Sequence, residues 1–363
     1  MRALSSIPSQ RTGAGGYTPD VERVTAHGPG RVNLIGEHTD YNGGLCLPFA
    51  IERGVTVTAG PAEHGDEMYA IARDLGEEDR FPLAAPAPAD GWRAFVRGTV
   101  AELRAAGRAL PPARLEIEGD LPHGSGLSSS AALETALCLA LLGLTGEAES
   151  ADRLELARLC SRVENEWVGA RTGLLDQLAA LFCRAGHALR IDFASLELSH
   201  LPLDLGGFTL ATMDSGAERR HAESGYNERR AECARACELL GLRSLRQALA
   251  SDVARLPEPL DRRVRHVVEE NGRVDEAVAA LTRGDLRELG RLLDASHASL
   301  RDLYEVSPRE VERTVELMKE GGALGARIIG GGFGGSVLGL FPPGAELPAG
   351  ALAAEPGPAA RLV

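Results

Sequence analysis

Hydrophobic residues recur along this chain at two spacings, one typical of helices and one typical of strands. Apolar residues three and four positions apart predict long helices over five ranges: 128–144, 152–170, 174–184, 225–241 and 308–320. Alternating or short apolar runs predict strands over six ranges: 32–35, 55–59, 114–118, 188–193, 208–213 and 336–341. Helices and strands do not alternate as regular βαβ units, so the pattern favours an α+β fold over a doubly wound parallel sheet.

The length of the chain and a break in this pattern predict two domains. The chain has 363 residues, whereas a typical domain has roughly 150. We place the junction at the break near 195–205 and expect one domain over 1–200 and a second over 201–363. Residues 1–20 are rich in Ser, Gly and Pro, and the segment after Phe341 is rich in Pro, Ala and Gly, so both ends are expected to be loosely ordered.

Composition and charge exclude several classes of protein. Hydrophobic residues make up 44% of the chain and charged residues 25%, which is typical of globular proteins. With 39 basic residues against 52 acidic ones, the net charge is −13, and this argues against a nucleic-acid partner. There is no apolar run long enough to cross a membrane and no signal-peptide pattern, so we expect a cytoplasmic protein with small-molecule ligands, no membrane partner and no obligate protein partner.

The chain contains one lysine, Lys319, so 38 of its 39 basic residues are arginines. Glu320 follows that lysine, so the chain lacks the Gly-Lys-Ser/Thr sequence of the P-loop nucleoside triphosphatases, and that class is excluded. The six cysteines form no CxxC pair, and buried reduced thiols are the favoured interpretation. Cys233 and Cys237 would share a helix face, but two ligands alone make a poor metal site.

A Gly- and Ser-rich loop between a strand and a helix is the clearest sign of chemistry in the sequence. The residues LPHGSGLSSSAAL (121–133) follow the strand predicted over 114–118 and lead into an apolar helix. Unpaired backbone N–H groups and the positive end of a helix dipole bind phosphate, and Gly124 and Gly126 let an anion approach closely. The serine hydroxyls at 128–130 either cap the helix or contact phosphate and Mg²⁺, and three serines in a row favour the second interpretation.

Polar residues also crowd around a short apolar run in GPGRVNLIGEHTDYNGG (28–44). Glu37 and Asp40 can accept hydrogen bonds from several hydroxyl groups, as a site for a neutral sugar requires. The stretch TDYNGG is equally good turn sequence, so a solvated turn stays open as the alternative. His38 alone is more typical of structural hydrogen bonding than of catalysis, and a metal site built on these three residues lacks a second histidine at helical spacing.

A third segment, GARIIGGGFGGSVLGLF (325–341), contains a literal GxGxxG spacing. No helix follows it, because the next residues are an apolar run and then Pro342 and Pro343, so a dinucleotide-binding motif is excluded. The segment is predicted to be a glycine-rich turn between strands. Its glycines either let two backbones pack closely or keep space over a bound ligand, and the sequence does not choose between these roles.

These three segments together resemble the motifs of the galactokinase family. GRVNLIGEHTDYN resembles the galactokinase signature, LPHGSGLSSSAAL resembles the second motif of the GHMP small-molecule kinases, and GGGFGGS resembles their third motif. The similarity extends over about residues 20–341 and includes three further stretches: TGLLDQ (172–177), GHALRIDFASLE (186–197) and SGAERRHAESGYNERRAEC (215–233).

The resemblance implies a fold and an activity. The fold is the two-domain GHMP kinase fold, with an N-terminal domain like domain 2 of ribosomal protein S5 and a ferredoxin-like C-terminal domain. The activity is ATP-dependent phosphorylation of α-D-galactose at its C1 hydroxyl, which gives galactose 1-phosphate and ADP in galactose breakdown. Mg²⁺ is the implied cofactor, and galactose and ATP are the implied small-molecule partners.

The resemblance also implies roles for individual residues. Asp176 lies beside the C1 hydroxyl and Arg31 beside the transferring phosphoryl group. The implied galactose contacts are Glu37, His38, Thr39, Asp40, Gly173 and Tyr226. The implied ATP loop consists of Gly124, Ser125, Gly126, Leu127, Ser128, Ser129 and Ser130. The implied Mg²⁺ ligands are Ser130 and Glu164.

Two alternatives stay open from the sequence. One is a related sugar-1-kinase that acts on N-acetylgalactosamine, arabinose or a uronic acid. The other is a non-catalytic sensor of galactose and ATP, against which the intact GLSSSAAL loop, Asp176 and Glu164 argue. The nucleobase pocket has no local signature in the sequence.

Overall fold

The computed structural model describes residues 23–62, 65–122, 124–170, 172–217 and 222–363. Its strands are β1 (Val24–Asn33), β2 (Leu45–Cys46), β3 (Pro48–Pro61), β4 (Glu67–Ala72), β5 (Glu77–Pro82), β6 (Ala113–Gly119), β7 (His187–Asp192), β8 (Glu197–Pro202), β9 (Thr209–Asp214), β10 (Gly325–Ile328), β11 (Ser336–Phe341), β12 (Leu352–Ala353) and β13 (Arg361–Leu362). The α-helices are α1 (Trp92–Ala105), α2 (Ser129–Gly143), α3 (Arg153–Arg162), α4 (Leu175–Phe182), α5 (Ala222–Leu240), α6 (Ala250–Val253), α7 (Leu260–Thr282), α8 (Leu286–Asp302) and α9 (Arg309–Glu320). Two 3₁₀ turns (Asp40–Asn42 and Leu245–Gln247) and a π-helical turn (Val163–Val168) complete the described helical segments.

The strands form three sheets in which antiparallel pairing prevails. The six-stranded sheet has the order β13-β1-β3-β6-β4-β5, and its β4–β6 pair is parallel. The four-stranded sheet has the order β10-β11-β9-β12, and the three-stranded sheet has the order β2-β7-β8. This irregular mixture of helices and antiparallel strands confirms the predicted α+β class.

The helix α2 lies at the centre of the molecule and brings the serine loop to the first sheet. Its residues from Ala131 to Leu142 are all buried, as expected for a helix that is apolar on every face. It packs on β1 and β3. The approach to β1 is so close that a Cβ on Gly28 would come within 2.0 Å of the Ala132 carbonyl oxygen. A residue with a side chain at 28 would therefore push the helix away from the sheet.

The helices predicted from periodicity all correspond to helices of the structure, although the predicted range 152–170 turns π-helical after Arg162. Predicted strands were less accurate. The run at 32–35 overlaps only the last two residues of a longer strand, β1, and the strands β2, β4, β5, β8, β12 and β13 were missed. The prediction also missed α1, α7 and α8. In α7, Arg263, His266 and Glu270 occupy buried positions, so polar residues interrupt the apolar periodicity on which the prediction rests.

The C-terminal segment is ordered, and the expectation of a loose end after Phe341 is wrong. Strand β12 pairs with β9, and β13 pairs with β1 of the six-stranded sheet. The Ala360 amide donates a hydrogen bond to the Ala180 carbonyl oxygen at 2.7 Å, and the Ala360 side chain is buried. Small residues pack closely here, which explains why an Ala- and Pro-rich composition does not prevent order. Residues 1–20 lie outside the described ranges.

The predicted domain junction near 195–205 falls on β8 and the loop that follows it. The four-stranded sheet and the long helices α5, α7, α8 and α9 lie on the C-terminal side of that position. The chain returns afterwards to the first sheet through β13. In the described ranges, no helix is long and apolar enough to span a membrane.

Candidate active site

The three motifs singled out in the sequence meet around one cavity of about 260 Å³. The cavity is lined by the following residues of the first motif, the serine loop, the segment at 170–176, α5 and the glycine-rich turn: Arg31, Glu37, His38, Asp40, Gly124, Ser125, Gly126, Ser128, Ser129, Ser130, Ala170, Thr172, Gly173, Leu175, Asp176, Tyr226, Asn227, Gly330, Gly331 and Gly332. Thirteen of the sixteen residues implied by the resemblance are therefore in its wall.

The serine loop presents the N-terminus of α2 to the cavity. The residue before the helix, Ser128, has left-handed dihedral angles (φ 68°, ψ 48°), and its side chain caps no N–H group of the helix. Its hydroxyl donates instead to Asp176. The capping interpretation of this serine is therefore wrong, and the N–H groups of the first turn have no partner within the helix. Such an arrangement binds anions.

A bidentate ion pair between Arg31 and Asp176 lies beside this loop. The Arg31 Nε and Nη2 atoms each donate to the Asp176 carboxylate at 2.8 Å. The Nη1 atom of the same guanidinium donates to the Gly126 carbonyl oxygen at 2.6 Å. The backbone of Arg31 also contacts the serine loop, because the Arg31 amide donates to the Leu127 carbonyl oxygen at 3.0 Å. Arg31 thus joins the end of β1, the serine loop and α4 at one point.

Carboxylates from the first motif face the same arginine. Burial raises the pKa of Glu37, while Arg327 and Arg31 oppose that rise. Burial also raises the pKa of Asp40 to about 7, and the charges of Asp176 and Glu37 add to the effect. Three acidic groups therefore surround one guanidinium in a poorly solvated site, which is where ionisation equilibria are most strongly shifted.

The backbone at Gly173 defines the position of the Asp40 carboxylate. A Cβ added at Gly173 would lie 1.7 Å from the Asp40 Oδ2 atom. Any other residue at 173 would therefore force this carboxylate to move. The glycine brings the 170–176 segment against the first motif, and this explains why both belong to one wall of the cavity.

The rings of His38 and Tyr226 line the cavity, and the Tyr304 ring packs behind them. The His38 ring lies 5.4 Å from the Tyr226 ring and 4.6 Å from the Tyr304 ring, measured between centroids. Burial lowers the pKa of His38 to about 3, and the neighbouring His266 contributes to the same shift. His38 is therefore neutral at physiological pH, and its Nε2 atom is buried without a hydrogen-bond partner in the described part of the chain.

The glycine-rich turn connects β10 to β11, as the sequence predicted, and its glycines at 330–332 line the cavity. The Gly330 amide donates to Glu37 Oε1 at 2.8 Å. The Ser336 hydroxyl donates to the Ser125 carbonyl oxygen at 2.7 Å. A Cβ at Gly332 would lie 2.6 Å from Val306. The glycines consequently serve both roles left open by the sequence, because they allow close packing and also line the cavity.

Glu164 lies behind the cavity wall, in the π-helical turn after α3, where it is 3% exposed. Its carboxylate accepts hydrogen bonds from the Thr172 hydroxyl at 2.5 Å and from Gln177 Nε2 at 2.9 Å. Burial raises the pKa of Glu164, and the nearby Ser130 hydroxyl opposes that rise. A carboxylate and a hydroxyl are oxygen ligands that suit Mg²⁺, which needs only one or two protein ligands when phosphates and water supply the rest. This donor set fits the implied ion, although the described residues contain no cluster of three or more His, Cys, Asp or Glu side chains able to hold a metal.

Two other implied residues do not line the cavity. The Thr39 hydroxyl donates to the Gly36 and Leu45 carbonyl oxygens at 2.9 and 2.7 Å. These contacts shape the loop of the first motif from behind. Leu127 is buried among core side chains, and only its backbone takes part in the site, through the bond to the Arg31 amide.

Two buried charged residues next to the site were missed by the sequence analysis. Arg327 is fully buried, and its Nη1 atom donates to the Asn33 and Leu34 carbonyl oxygens at 3.0 Å each. Its Nη2 atom lies 3.4 Å from Glu37 Oε1. Glu134 is fully buried inside α2, and burial, followed by the charge of Glu164, raises its pKa well above the usual value. In both cases the sequence does contain a signal for a buried charge, namely a charged residue within an otherwise apolar run.

Comparisons with known proteins agree with this arrangement. Three family profiles match the chain: the galactokinase galactose-binding signature over residues 16–61, the GHMP kinases N-terminal domain over 94–184 and the GHMP kinases C-terminal domain over 277–355. A galactokinase of Mycobacterium bovis is 44% identical over 326 residues, which are 88% of this chain and 89% of that protein. A galactokinase of Thermotoga neapolitana is 40% identical over 318 residues, 87% of this chain and 89% of the other. The crystal structure of Lactococcus lactis galactokinase complexed with galactose superposes with a TM-score of 0.87 at 33% identity and covers 95% of this chain and 96% of that one.

Proposed function

Because this chain belongs to the galactokinase family of the GHMP kinases, it is a kinase of galactose, and we propose that it transfers the γ-phosphoryl group of ATP to the C1 hydroxyl. The observation that carries this proposal is the position of Asp176. Its carboxylate is held by Arg31 and by Ser128 of the serine loop, and it lies in the same cavity wall as Glu37 and Asp40. A group there can reach both an anionic phosphate and a sugar hydroxyl.

The sugar lies on the side of the cavity formed by the first motif and Tyr226. Carboxylates accept hydrogen bonds from hydroxyl groups, and a buried acceptor left without its donor is costly, so Glu37 and Asp40 select sugars that present hydroxyl groups at the matching positions. The Gly330 amide and Arg327 hold Glu37 in place. The backbone at Gly173 fits closely against Asp40. Both acceptors are thus positioned before the sugar binds, which is what selective recognition requires.

Asp176 orients the C1 hydroxyl and accepts its proton. Two charged hydrogen bonds from Arg31 fix the distance and orientation of this carboxylate. Phosphoryl transfer passes through a loose transition state that needs little help from a base at the start. Asp176 therefore takes the proton late, as the bond from the C1 oxygen to phosphorus forms, while Arg31 stabilises the charge on the phosphoryl oxygens.

The serine loop holds the triphosphate. The first turn of α2 and the loop from Gly124 to Ser130 offer backbone N–H groups and serine hydroxyls to the phosphate oxygens. Ser130 and Glu164 are the residues that would hold Mg²⁺, which when bound neutralises phosphate charge. Thr172 and Gln177 keep the Glu164 carboxylate oriented toward Ser130. No lysine takes part, since Lys319 pairs with Asp294 on the far helices.

Comparing substrates tests the proposal directly. ADP release would be measured with galactose, N-acetylgalactosamine, arabinose, galacturonate and glucose, and the position of the phosphate in the product would be determined by NMR. We expect galactose to have the highest kcat/KM and the product to be galactose 1-phosphate. A higher kcat/KM for another sugar, or a phosphate on another carbon, would overturn the assignment of substrate or acceptor. Binding of galactose and ATP without ADP release would identify a sensor instead.

A further inference from the structure

Helix α7 contacts both ends of the loop that carries the two proposed sugar acceptors. We call this loop, residues 36–45, the first-motif loop. At its start, the Gly36 amide donates a hydrogen bond to Glu270 Oε1 at 3.0 Å. At its end, the Leu45 amide donates to Asn271 Oδ1 at 2.8 Å. Two adjacent side chains of one helix therefore fix the positions at which the loop begins and ends.

A third side chain of α7 binds the backbone of Glu37 itself. The His266 Nε2 atom lies 3.1 Å from the Glu37 carbonyl oxygen, and its Nδ1 atom lies 2.8 Å from the Ser299 hydroxyl of α8. Burial lowers the pKa of His266 to about 4, so the ring is neutral at physiological pH. A carbonyl oxygen can only accept, so Nε2 carries the ring proton and Nδ1 accepts from Ser299. The direction of both hydrogen bonds is therefore defined.

The Glu270 carboxylate is fully buried, and each of its hydrogen bonds has a defined donor. Burial alone would raise the pKa of Glu270, but the charge of Arg273, followed by smaller contributions, lowers it to about 2. The ionised carboxylate can only accept. It accepts from Arg273 Nε at 2.6 Å, from the Ser296 hydroxyl of α8 at 2.7 Å and from the Gly36 amide. Glu270 thus connects α7, α8 and the first-motif loop.

The backbone of the first-motif loop needs such support. Gly36 has a φ of 101° and His38 a φ of 60°, and left-handed residues other than glycine are uncommon. A Cβ on Gly36 would lie 2.5 Å from the Leu45 carbonyl oxygen, and a Cβ on Gly44 would lie 2.5 Å from Asn271 Oδ1. Unfavourable backbone conformations persist where the surrounding structure holds them. The hydrogen bonds from α7 supply part of that restraint.

We propose that His266, Glu270 and Asn271 are positioning residues for sugar binding, which hold the first-motif loop so that Glu37 and Asp40 face the sugar. The described wall of the cavity contains none of the three α7 residues, so they act through the loop. The proposal rests on the proposed function, because it takes Glu37 and Asp40 to be the sugar acceptors. The serine loop is held instead from β1 and from the glycine-rich turn, so α7 should affect the binding of sugar and not that of ATP.

Two substitutions of Glu270 test this role. Glu270→Leu leaves the buried Gly36 amide without its acceptor, whereas Glu270→Gln keeps an oxygen for it. In Glu270→Leu we expect KM for galactose to rise about 10- to 100-fold, with kcat and KM for ATP within about threefold of the wild type. In Glu270→Gln we expect KM for galactose to stay within about fivefold of the wild type. A loss of folded enzyme alone would lower the apparent kcat and leave KM unchanged, so this comparison separates positioning from general damage.

Amide hydrogen exchange measured by NMR tests the same contacts without substrate. In the ligand-free wild-type protein we expect slow exchange at Gly36 and Leu45. Glu270→Leu should accelerate exchange mainly at Gly36, and Asn271→Leu mainly at Leu45. Glu276→Leu, an exposed position of the same helix, is the matched control and should change neither exchange nor KM.

Fast exchange of both amides in the wild-type protein would overturn the proposal, as would an unchanged KM for the sugar in Glu270→Leu. If Glu270→Leu does not fold, Asn271→Leu provides the same test of KM at the other end of the loop. If another sugar proves to be the better substrate, KM is measured with that sugar. A wrong assignment of galactose is therefore distinguished from a wrong role for α7.

Discussion

The guanidinium of Arg31 holds the carboxylate of Asp176 through two parallel hydrogen bonds of 2.8 Å, although the two residues are 145 positions apart in the sequence. The pair lies where the serine loop meets the first motif. An arginine fork on a carboxylate fixes both distance and orientation. The position of the Asp176 carboxylate is therefore set by the end of β1 and not only by its own helix, α4.

Asp176→Asn should retain binding of galactose and ATP and reduce kcat by more than about 100-fold. The amide keeps the size of the side chain but cannot accept the proton, and general-base catalysis is worth about 10²–10⁴-fold. Calorimetry would measure binding and a coupled ADP assay would measure kcat. Asp275→Asn, on the exposed side of α7, is the control. A kcat near that of the wild type would contradict the assigned role.

Arg31→Lys should also be poorly active, although it keeps the positive charge. A lysine ammonium cannot form the two parallel bonds to Asp176 and the third bond to the Gly126 carbonyl oxygen in this planar geometry. We expect kcat to fall by about 10- to 1000-fold. Full activity in this variant would show that charge alone suffices at this position.

Gly173→Ala should raise KM for galactose by about 10- to 100-fold, because small displacements of a binding group are costly. The new Cβ would lie 1.7 Å from Asp40 Oδ2 and would displace that carboxylate. Gly272→Ala is a matched control, since a Cβ at that helical position meets no atom within 4 Å. Initial rates at varied galactose would give KM for both variants. Equal KM values would mean that Asp40 does not contact the sugar.

The contribution of Asp40 to the stability of the ligand-free protein should fall as the pH rises from about 4 to about 8. Burial, with the charges of Asp176 and Glu37, raises the pKa of Asp40 to about 7, against 3.8 for an ordinary aspartate, while Arg230 opposes the rise. Between these values Asp40 binds more protons in the folded state than in the unfolded chain, so its contribution to the free energy of unfolding decreases with pH.

Asp40→Asn isolates this contribution of Asp40. The variant should be more stable than the wild type at pH 8 by about 1–3 kcal/mol, and the difference should shrink toward pH 4. Urea unfolding at several pH values would measure it. The same variant should bind galactose weakly at every pH, because the amide replaces one of the two acceptor oxygens of the carboxylate with an NH₂ donor. A difference in stability that does not depend on pH would refute the shifted ionisation.

Arg327→Met should lower both stability and sugar affinity. The fully buried guanidinium donates to two carbonyl oxygens at the end of β1 and lies 3.4 Å from Glu37, and breaking a buried pair typically costs about 3–5 kcal/mol. Without it, Glu37 should take up a proton more readily, and KM for galactose should rise most steeply at low pH. Arg313→Met, an exposed position of α9, is the control. An unchanged pH profile would exclude Arg327 as the partner of Glu37.

The sequence by itself determined the local features of this protein. Glycines, serines and turn residues have conformational and hydrogen-bonding preferences that act within a few positions, so the serine loop before α2 and the glycine-rich turn between β10 and β11 were predicted correctly. Periodicity likewise located α2, α4 and α9, whose buried positions are mostly apolar. The family resemblance, confirmed by relatives that match along most of the chain, followed from these local motifs.

Only the tertiary structure decided which distant residues meet. Three contacts join residues that are far apart in the sequence. Arg31 lies 145 positions from Asp176, and Asn42 lies 191 positions from Cys233. Arg327 lies 290 positions from Glu37. A buried charged residue interrupts the apolar periodicity by which a helix is predicted, and its partner cannot be identified from nearby sequence. Helix α7 was not predicted for this reason, because Arg263, His266 and Glu270 are buried in it. Burial makes such pairs strong, and burial depends on the packing of the whole chain, which no local window of sequence contains.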